Sequence, residues 1–169
     1  MEKKQIVTIR IILTLLTIGC LAWIFSNSLA TGMESSEASQ TVTETVQDVV
    51  GSVAPSSPIA TATGEEFDLL HTFVRNAGHF CQFALLGALL FWCLLSYSLK
   101  KKALWIAPVT TTAIAFIDEY LQTFVEERVG EIFDVFLDCA GAVTGIAFAV
   151  ACVWLGIKII TKRKKNVGA

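Results

Sequence analysis

Four apolar stretches, residues 6–25, 79–99, 103–124 and 132–160, each approach or exceed the roughly 20 residues that a helix needs to cross a hydrocarbon core. No water is available there to satisfy backbone N–H and C=O groups, so such segments must close their hydrogen bonds internally, as helices do. The composition agrees: 54% of the 169 residues are hydrophobic and only 17% are charged, too sparse a charge for an ordinary soluble domain. The expected fold is all-α, an integral membrane four-helix bundle in a single domain over residues 1–169, with short amphipathic helices in its first outer loop. The fourth stretch is longer than a crossing requires, so Asp134 and Lys158 are expected at its two interfaces, with residues 139–157 spanning. Pro108, near the start of the third, is expected to kink that helix without ending it.

The charges then orient these segments. Lys3, Lys4 and Arg10 flank the first, Lys100, Lys101 and Lys102 separate the second from the third, and Lys158, Lys162, Arg163, Lys164 and Lys165 follow the fourth. The positive-inside rule puts all three groups in the cytoplasm, which is consistent only with an even number of crossings. Both termini are therefore expected inside, and residues 26–78 and 125–131 outside. The basic tail, 161–169, reads as an orientation signal in contact with anionic lipid. A cleavable signal peptide competes for the first stretch, because Ser28-Leu29-Ala30 carries small residues at a suitable spacing. In the outer loop, Ser35 or Ser36 is expected to cap a helix whose Val42, Val46, Val49 and Val53 face the bundle or the membrane surface. The alternative is a solvated connector. Pro55 and Pro58 break the chain, and a further helix is expected near Thr63, carrying Glu65, Glu66 and Asp68 into the second crossing. All five cysteines lie in or at the ends of apolar stretches, so they read as packing residues, with Cys81 and Cys139 as the one pair to check for contact.

A charge at bilayer depth costs about 2.5–3.5 kcal/mol on insertion scales, which makes Asp118, Glu119, Asp134 and Asp138 the residues to explain. His71, Arg75 and His79 recur every four residues and stack on one helix face, continued by Gln82. Thr111, Ala115, Asp118 and Gln122 form a second stripe. Asp134 and Asp138 are followed by Gly141 or Ala142, Gly145 and Ala149, small residues that permit close helix approach. The topology brings these groups to a similar depth on the outer side, with Arg128 in the short loop between the last two helices. With neutral histidines, Arg75, Arg128, Asp118, Glu119, Asp134 and Asp138 carry two positive and four negative charges. That excess calls for protonated carboxylates, a bound cation or a ligand's amine.

Three roles remain open at this point. They are locking the helices to one another, binding the head group of a lipid or lipid-linked cell-wall intermediate, and catalysis with His79 or a carboxylate as general base. Catalytic candidates are His79, Asp118, Glu119, Asp134 and Asp138. A divalent cation is weakly indicated, since carboxylates with one deep histidine suit a hard or borderline ion but no zinc-protease or paired-cysteine spacing occurs. There is no phosphate-cradling Gly-rich loop, no serine nucleophile elbow, and no basic-aromatic surface suited to nucleic acid.

Two blocks, RNAGHFCQFALLG over residues 75–87 and DEYLQTFVEERVGEIFDVFLDCAGAVTG over residues 118–145, resemble the VanZ-like family of small bacterial membrane proteins, named after an accessory teicoplanin-resistance protein. The resemblance runs from about Ser26 to about Gly145. It implies a bacterial plasma-membrane protein whose polar residues are Arg75, His79, Asp118, Glu119, Gln122, Arg128, Asp134 and Asp138, the same set that membrane cost singles out. In this sequence Asn76 stands where a second basic residue is common, Phe83 where tyrosine is common, and Glu126-Glu127 where a Pro-Gly pair often precedes the arginine. The resemblance implies a link to glycopeptide susceptibility. It points to an outer-leaflet pocket in which Arg75 and Arg128 hold anionic groups, Gln122 orients a neighbour, and the histidine and acids handle a proton, cation or amine. The alternatives are a membrane enzyme acting on a lipid or cell-wall precursor and a structural or regulatory partner of another envelope protein.

Overall fold

The computed structural model describes residues 3–128 and 130–167, with side chains to Arg163. Five helices account for most of this: α1 (Lys3–Ser28), α2 (Gly32–Val53), α3 (Glu65–Ser96), α4 (Lys100–Gln122) and α5 (Ile132–Val167). No strand occurs among the described residues. Helices α1, α3 and α5 are long and apolar enough to cross a membrane. Helix α4 is less apolar, because three consecutive threonines, Pro108 and the Asp118–Glu119 pair interrupt its aliphatic residues, and it continues through Pro108. The basic tail extends α5. The side chains of Lys164 and Lys165, and residues 168–169, lie outside the described residues.

At about 1.5 Å per residue, the 32-residue α3 is about 48 Å long, well beyond a hydrocarbon core of about 30 Å. It is thus long enough to carry its acidic first turns beyond such a layer. Helix α3 is also the hub, packing against each of the other four. The contact with α1 is antiparallel: Arg10 donates from Nε to the Ser96 carbonyl at 2.8 Å and lies over the Tyr97 ring, and Thr14 sits 3.2 Å from the Tyr97 hydroxyl. Against α5 it runs parallel, with Phe80 beside Gly141 and Ala84 beside Gly145. Here the absence of side chains is decisive. A Cβ on Gly145 would fall 2.6 Å from the Ala84 carbonyl carbon, and one on Gly87 would fall 2.5 Å from the Ala142 carbonyl oxygen. With no hydrophobic drive between helices in lipid, this close backbone approach is what holds α3 to α5.

Above and below that seam lie two apolar clusters. One joins Cys20 and Ile24 of α1 to Phe83, Leu86, Ala115, Val135 and Ala142, and the other joins Phe91 to Ala103, Ala107, Ile146 and Ala149. The turn between α3 and α4 is only three residues long, closed by Ser98 at φ 66°. Cys139 points its thiol at Thr112 Oγ1, 3.6 Å away, and Cys81 is exposed, so the two are not joined.

Between α1 and α3 there is one 22-residue helix, α2, where short helices were expected, and the helix expected near Thr63 begins at Glu65 and runs on without a break as α3. Thr31, not Ser35 or Ser36, caps α2: its hydroxyl accepts from the Glu34 N–H, and the Glu34 carboxylate accepts from the Thr31 N–H. This reciprocal pairing satisfies two donors, which a lone serine would not. Val42, Val49 and Val53 are all more than half exposed, so of the two expected settings for the valine stripe, bundle and membrane surface, burial in the bundle core is the one the structure excludes. The inward face is instead Ser39, Thr43 and Gln47. Ser39 Oγ meets His71 Nε2 of α3 at 2.7 Å, and Gln47 Nε2 donates at 3.0 Å to the carbonyls of both Ile59 and Ala62. The unpaired carbonyls of the following loop need donors, and valine has none to give. At its other end α2 is docked on the α4–α5 loop, where the Gly32 N–H donates to the Glu126 carbonyl and a Gly32 Cβ would overlap Glu127.

Candidate functional site

Because α1 and α4 end, and α5 begins, beside the middle of α3, four helix segments present their polar residues to one another. Helical spacing puts Thr111, Ala115, Asp118 and Gln122 on one face of α4, and all four are buried against the bundle. Asp118 is only 1% exposed. Its Oδ1 accepts from the Ser28 hydroxyl, which also lies 3.0 Å from the Ile24 carbonyl, and its Oδ2 accepts from Gln122 Nε2 at 3.1 Å. Across from it, Asp138 of α5 is equally buried. Its Oδ1 stands 3.7 Å from His79 Nδ1 of α3, an ion-pair separation too long for a hydrogen bond. Neither Asp138 oxygen nor His79 Nδ1 has a hydrogen-bond partner. A fully buried carboxylate left so costs several kcal/mol unless a proton, a cation or a donor meets it. One ligand-capable atom each from His79, Asp118 and Asp138 lie within 4.8 Å of one another.

The neighbouring acids are handled differently. Glu119 follows Asp118 in sequence but sits about 100° further round the helix, so it leaves this cluster. Its Oε1 accepts from the Glu131 N–H, where an anion complements the unsatisfied amides at the start of α5, while its Oε2 is buried without a partner. Asp134, one turn before Asp138, is half-buried. Arg128 donates from Nη2 to the Asn27 carbonyl at 3.1 Å, pinning the end of α1 to the α4–α5 loop, and its Nε is buried and unpartnered. Burial, then the nearby Arg75, pull the Arg128 guanidinium below its ordinary range, against the opposing pull of Asp118, Glu119 and Asp134. Among the described residues, no acid forms a salt bridge with it.

Beside these groups opens a cleft of about 340 Å³ between α1, α2 and α3. Trp23, Ala38, Val42 and Val74 supply apolar wall, and Arg75, His79, Gln82, Ser28, Ser39 and Arg128 supply polar groups. Glu34, the acid that lines it, is occupied in the α2 cap. The acids Asp118 and Asp138 do not line the cleft themselves. They lie behind Ser28 and His79, which do, so those two side chains connect the cleft to the buried carboxylates.

Of the residues singled out in the sequence, His79, Asp118 and Asp138 come together directly and Gln122 holds Asp118. Arg75 and Arg128 share the cleft, Glu119 turns to the α5 N-terminus, and Asp134 stands one turn away. Sequence reasoning missed Ser28 as the partner of Asp118, since the residue matched a signal-cleavage pattern. It also missed Ser39 as the partner of His71, and Asn27 as the acceptor for Arg128. The polar every-fourth-residue series Ser39, Thr43 and Gln47 was the available signal for the α2 contact.

A family model described as VanZ/LLP1 matches residues 11–155 of the chain. No curated protein and no solved structure matches it.

Proposed function

Because the chain belongs to the VanZ/LLP1 family, we propose that it is a multi-pass protein of the bacterial plasma membrane whose cleft, open toward the outer leaflet, engages an anionic amphiphile. In this reading α4 is a fourth crossing, paired with α5, and both termini are cytoplasmic. The ligand is a membrane lipid or a lipid-linked cell-wall intermediate, and its capture modifies the response to teicoplanin-type glycopeptides. The observation that carries the reading is the cleft itself: two arginines lie beside apolar wall in a volume of about 340 Å³, large enough for a head group and the start of a chain. Arg75 and Arg128 would hold the anionic group by charge-assisted hydrogen bonds, worth about 1.5–3 kcal/mol each. Trp23, Val42 and Val74 would meet the acyl or prenyl portion.

The test is ligand capture. Protein in phosphatidylcholine nanodiscs is incubated with a bacterial lipid extract, and separately with a polyprenyl phosphate, and bound lipid is identified by mass spectrometry. An anionic lipid should be retained by the wild type and reduced about tenfold or more by Arg75→Gln or Arg128→Gln. Equal retention by the double variant at normal abundance would remove the proposed site. An enzyme acting on the same lipid is the second reading, favoured by His79, whose ring reaches the cleft while its Nδ1 faces Asp138. Chemically altered lipid that disappears with His79→Gln would select that reading. Retention of intact lipid without turnover would count against it, and absence of any bound lipid would leave a structural or regulatory partner of another envelope protein.

A further inference from the structure

We propose that His79, Asp118 and Asp138 form a binding site for one divalent transition-metal ion, of the Zn2+ or Mn2+ class, beneath the floor of the cleft. Three separate helices, α3, α4 and α5, each contribute one ligand, and the ligand atoms already lie within 4.8 Å of one another. Nitrogen and oxygen ligands keep roughly 2.0–2.2 Å from such an ion, so ligand atoms this close to one another need to draw in only slightly to share it.

What points to a cation, beyond the grouping of acids, is the state of Asp138. It is 1% exposed, yet both of its oxygens lack a hydrogen-bond donor, and the facing His79 Nδ1 lacks a partner too. Acceptors left bare and turned toward one another in an apolar interior are stable when a shared positive centre lies between them. The arginines do not supply it: among the described residues the ion-pair neighbour of Asp138 is His79, not Arg75 or Arg128. A divalent ion with two carboxylates and a neutral imidazole sums to zero charge, which is what a low-dielectric site favours.

The outer contacts fit the same assignment. Ser28 and Gln122 each donate to one oxygen of Asp118 and so fix its orientation, the way donors behind metal ligands do. One imidazole and two carboxylates suit a borderline to hard ion and disfavour Cu(I). Three protein ligands also leave a coordination position, and His79 borders the cleft, so water or an anionic oxygen from that side would complete the shell. The site stands whether or not the cleft takes a lipid.

The experiment uses the full chain purified in detergent without chelator. Metal content is measured by mass spectrometry, then the protein is stripped with EDTA and titrated with Zn2+, Mn2+ and, as a spectroscopic probe, Co2+. One ion per chain is expected, with a visible Co2+ absorption band. His79→Gln and Asp138→Asn should weaken binding about tenfold or more, while Glu37→Gln, exposed on α2 away from the triad, should leave it unchanged. Size-exclusion profiles check that the variants fold. If they do not, the wild-type titration decides alone, because a metal-free wild type with no Co2+ band overturns the proposal. Wild-type binding that persists undiminished in a folded Asp138→Asn overturns it as well. Lipid capture measured on the same preparations, with and without EDTA, separates failure of the metal site from failure of the cleft.

Discussion

Gly145→Ala should loosen the contact on which the whole site depends, although alanine is the better helix former. The new Cβ would overlap the carbonyl oxygen of Ala84 and lie 2.6 Å from its carbonyl carbon, whereas ordinary contact begins near 3.4 Å, so α3 and α5 would have to part by more than about 0.8 Å. The obstacle is backbone, which cannot rotate aside. Over-packing of this kind costs about 1–3 kcal/mol, and the gain in helix propensity returns at most about 1 kcal/mol. The net expectation is a loss of up to about 2 kcal/mol, against no loss at an open position. Gly19 and Gly156 provide the control, because a Cβ at either meets nothing within 4 Å. There the same substitution should be neutral or stabilising by up to about 1 kcal/mol. Thermal unfolding of the three variants in one detergent, followed by intrinsic tryptophan fluorescence, measures the contrast. Gly145→Ala as stable as Gly156→Ala would refute the claim that backbone contact at this seam holds α3 to α5.

Other consequences are as direct. Ser28→Ala removes a donor from the buried Asp118 and should cost about 1–3 kcal/mol, while Ser26→Ala, exposed on the same helix, should change stability by less than about 0.5 kcal/mol; chemical or thermal denaturation compares them. Thr31→Val leaves Glu34 without its reciprocal cap and should cost about 1 kcal/mol at the start of α2, read as faster amide exchange there. A cysteine introduced at Ser56 should react with an impermeant maleimide on intact cells, and a reporter fused after Ala169 should be active only inside; either result reversed would refute the orientation.

The parts of this molecule that were legible in the sequence are those governed by one strong period or one large cost. Apolar runs of crossing length gave α1, α3 and α5. The spacing of Gly141, Ala142 and Gly145 gave the seam, because only small residues fit where backbones touch. The stripe Thr111, Ala115, Asp118 and Gln122 gave the buried face of α4. The particular hydrogen-bond partners that join distant segments were not legible. Whether Ser28 ends a signal peptide or bonds Asp118 depends on where the end of α1 lies relative to α4, which no local pattern encodes. The same holds for Glu119, which differs from Asp118 by one residue and therefore by nearly a third of a turn, enough to send it to the Glu131 amide. Valine periodicity marked α2 as a helix but not its packed face, where the neighbouring loop offers bare carbonyls and the contact is made by hydrogen bonds.

The convergence of α3 and α5 on one polar chamber is tested most directly by a double-mutant cycle of His79→Gln and Asp138→Asn, with unfolding free energies measured in a single detergent with chelator present. Side chains 3.7 Å apart that share a dry environment should couple, so the double variant should depart from the sum of the two singles by about 1 kcal/mol or more. Additivity to within about 0.3 kcal/mol would mean that the two groups act in separate surroundings, and would contradict the shared chamber.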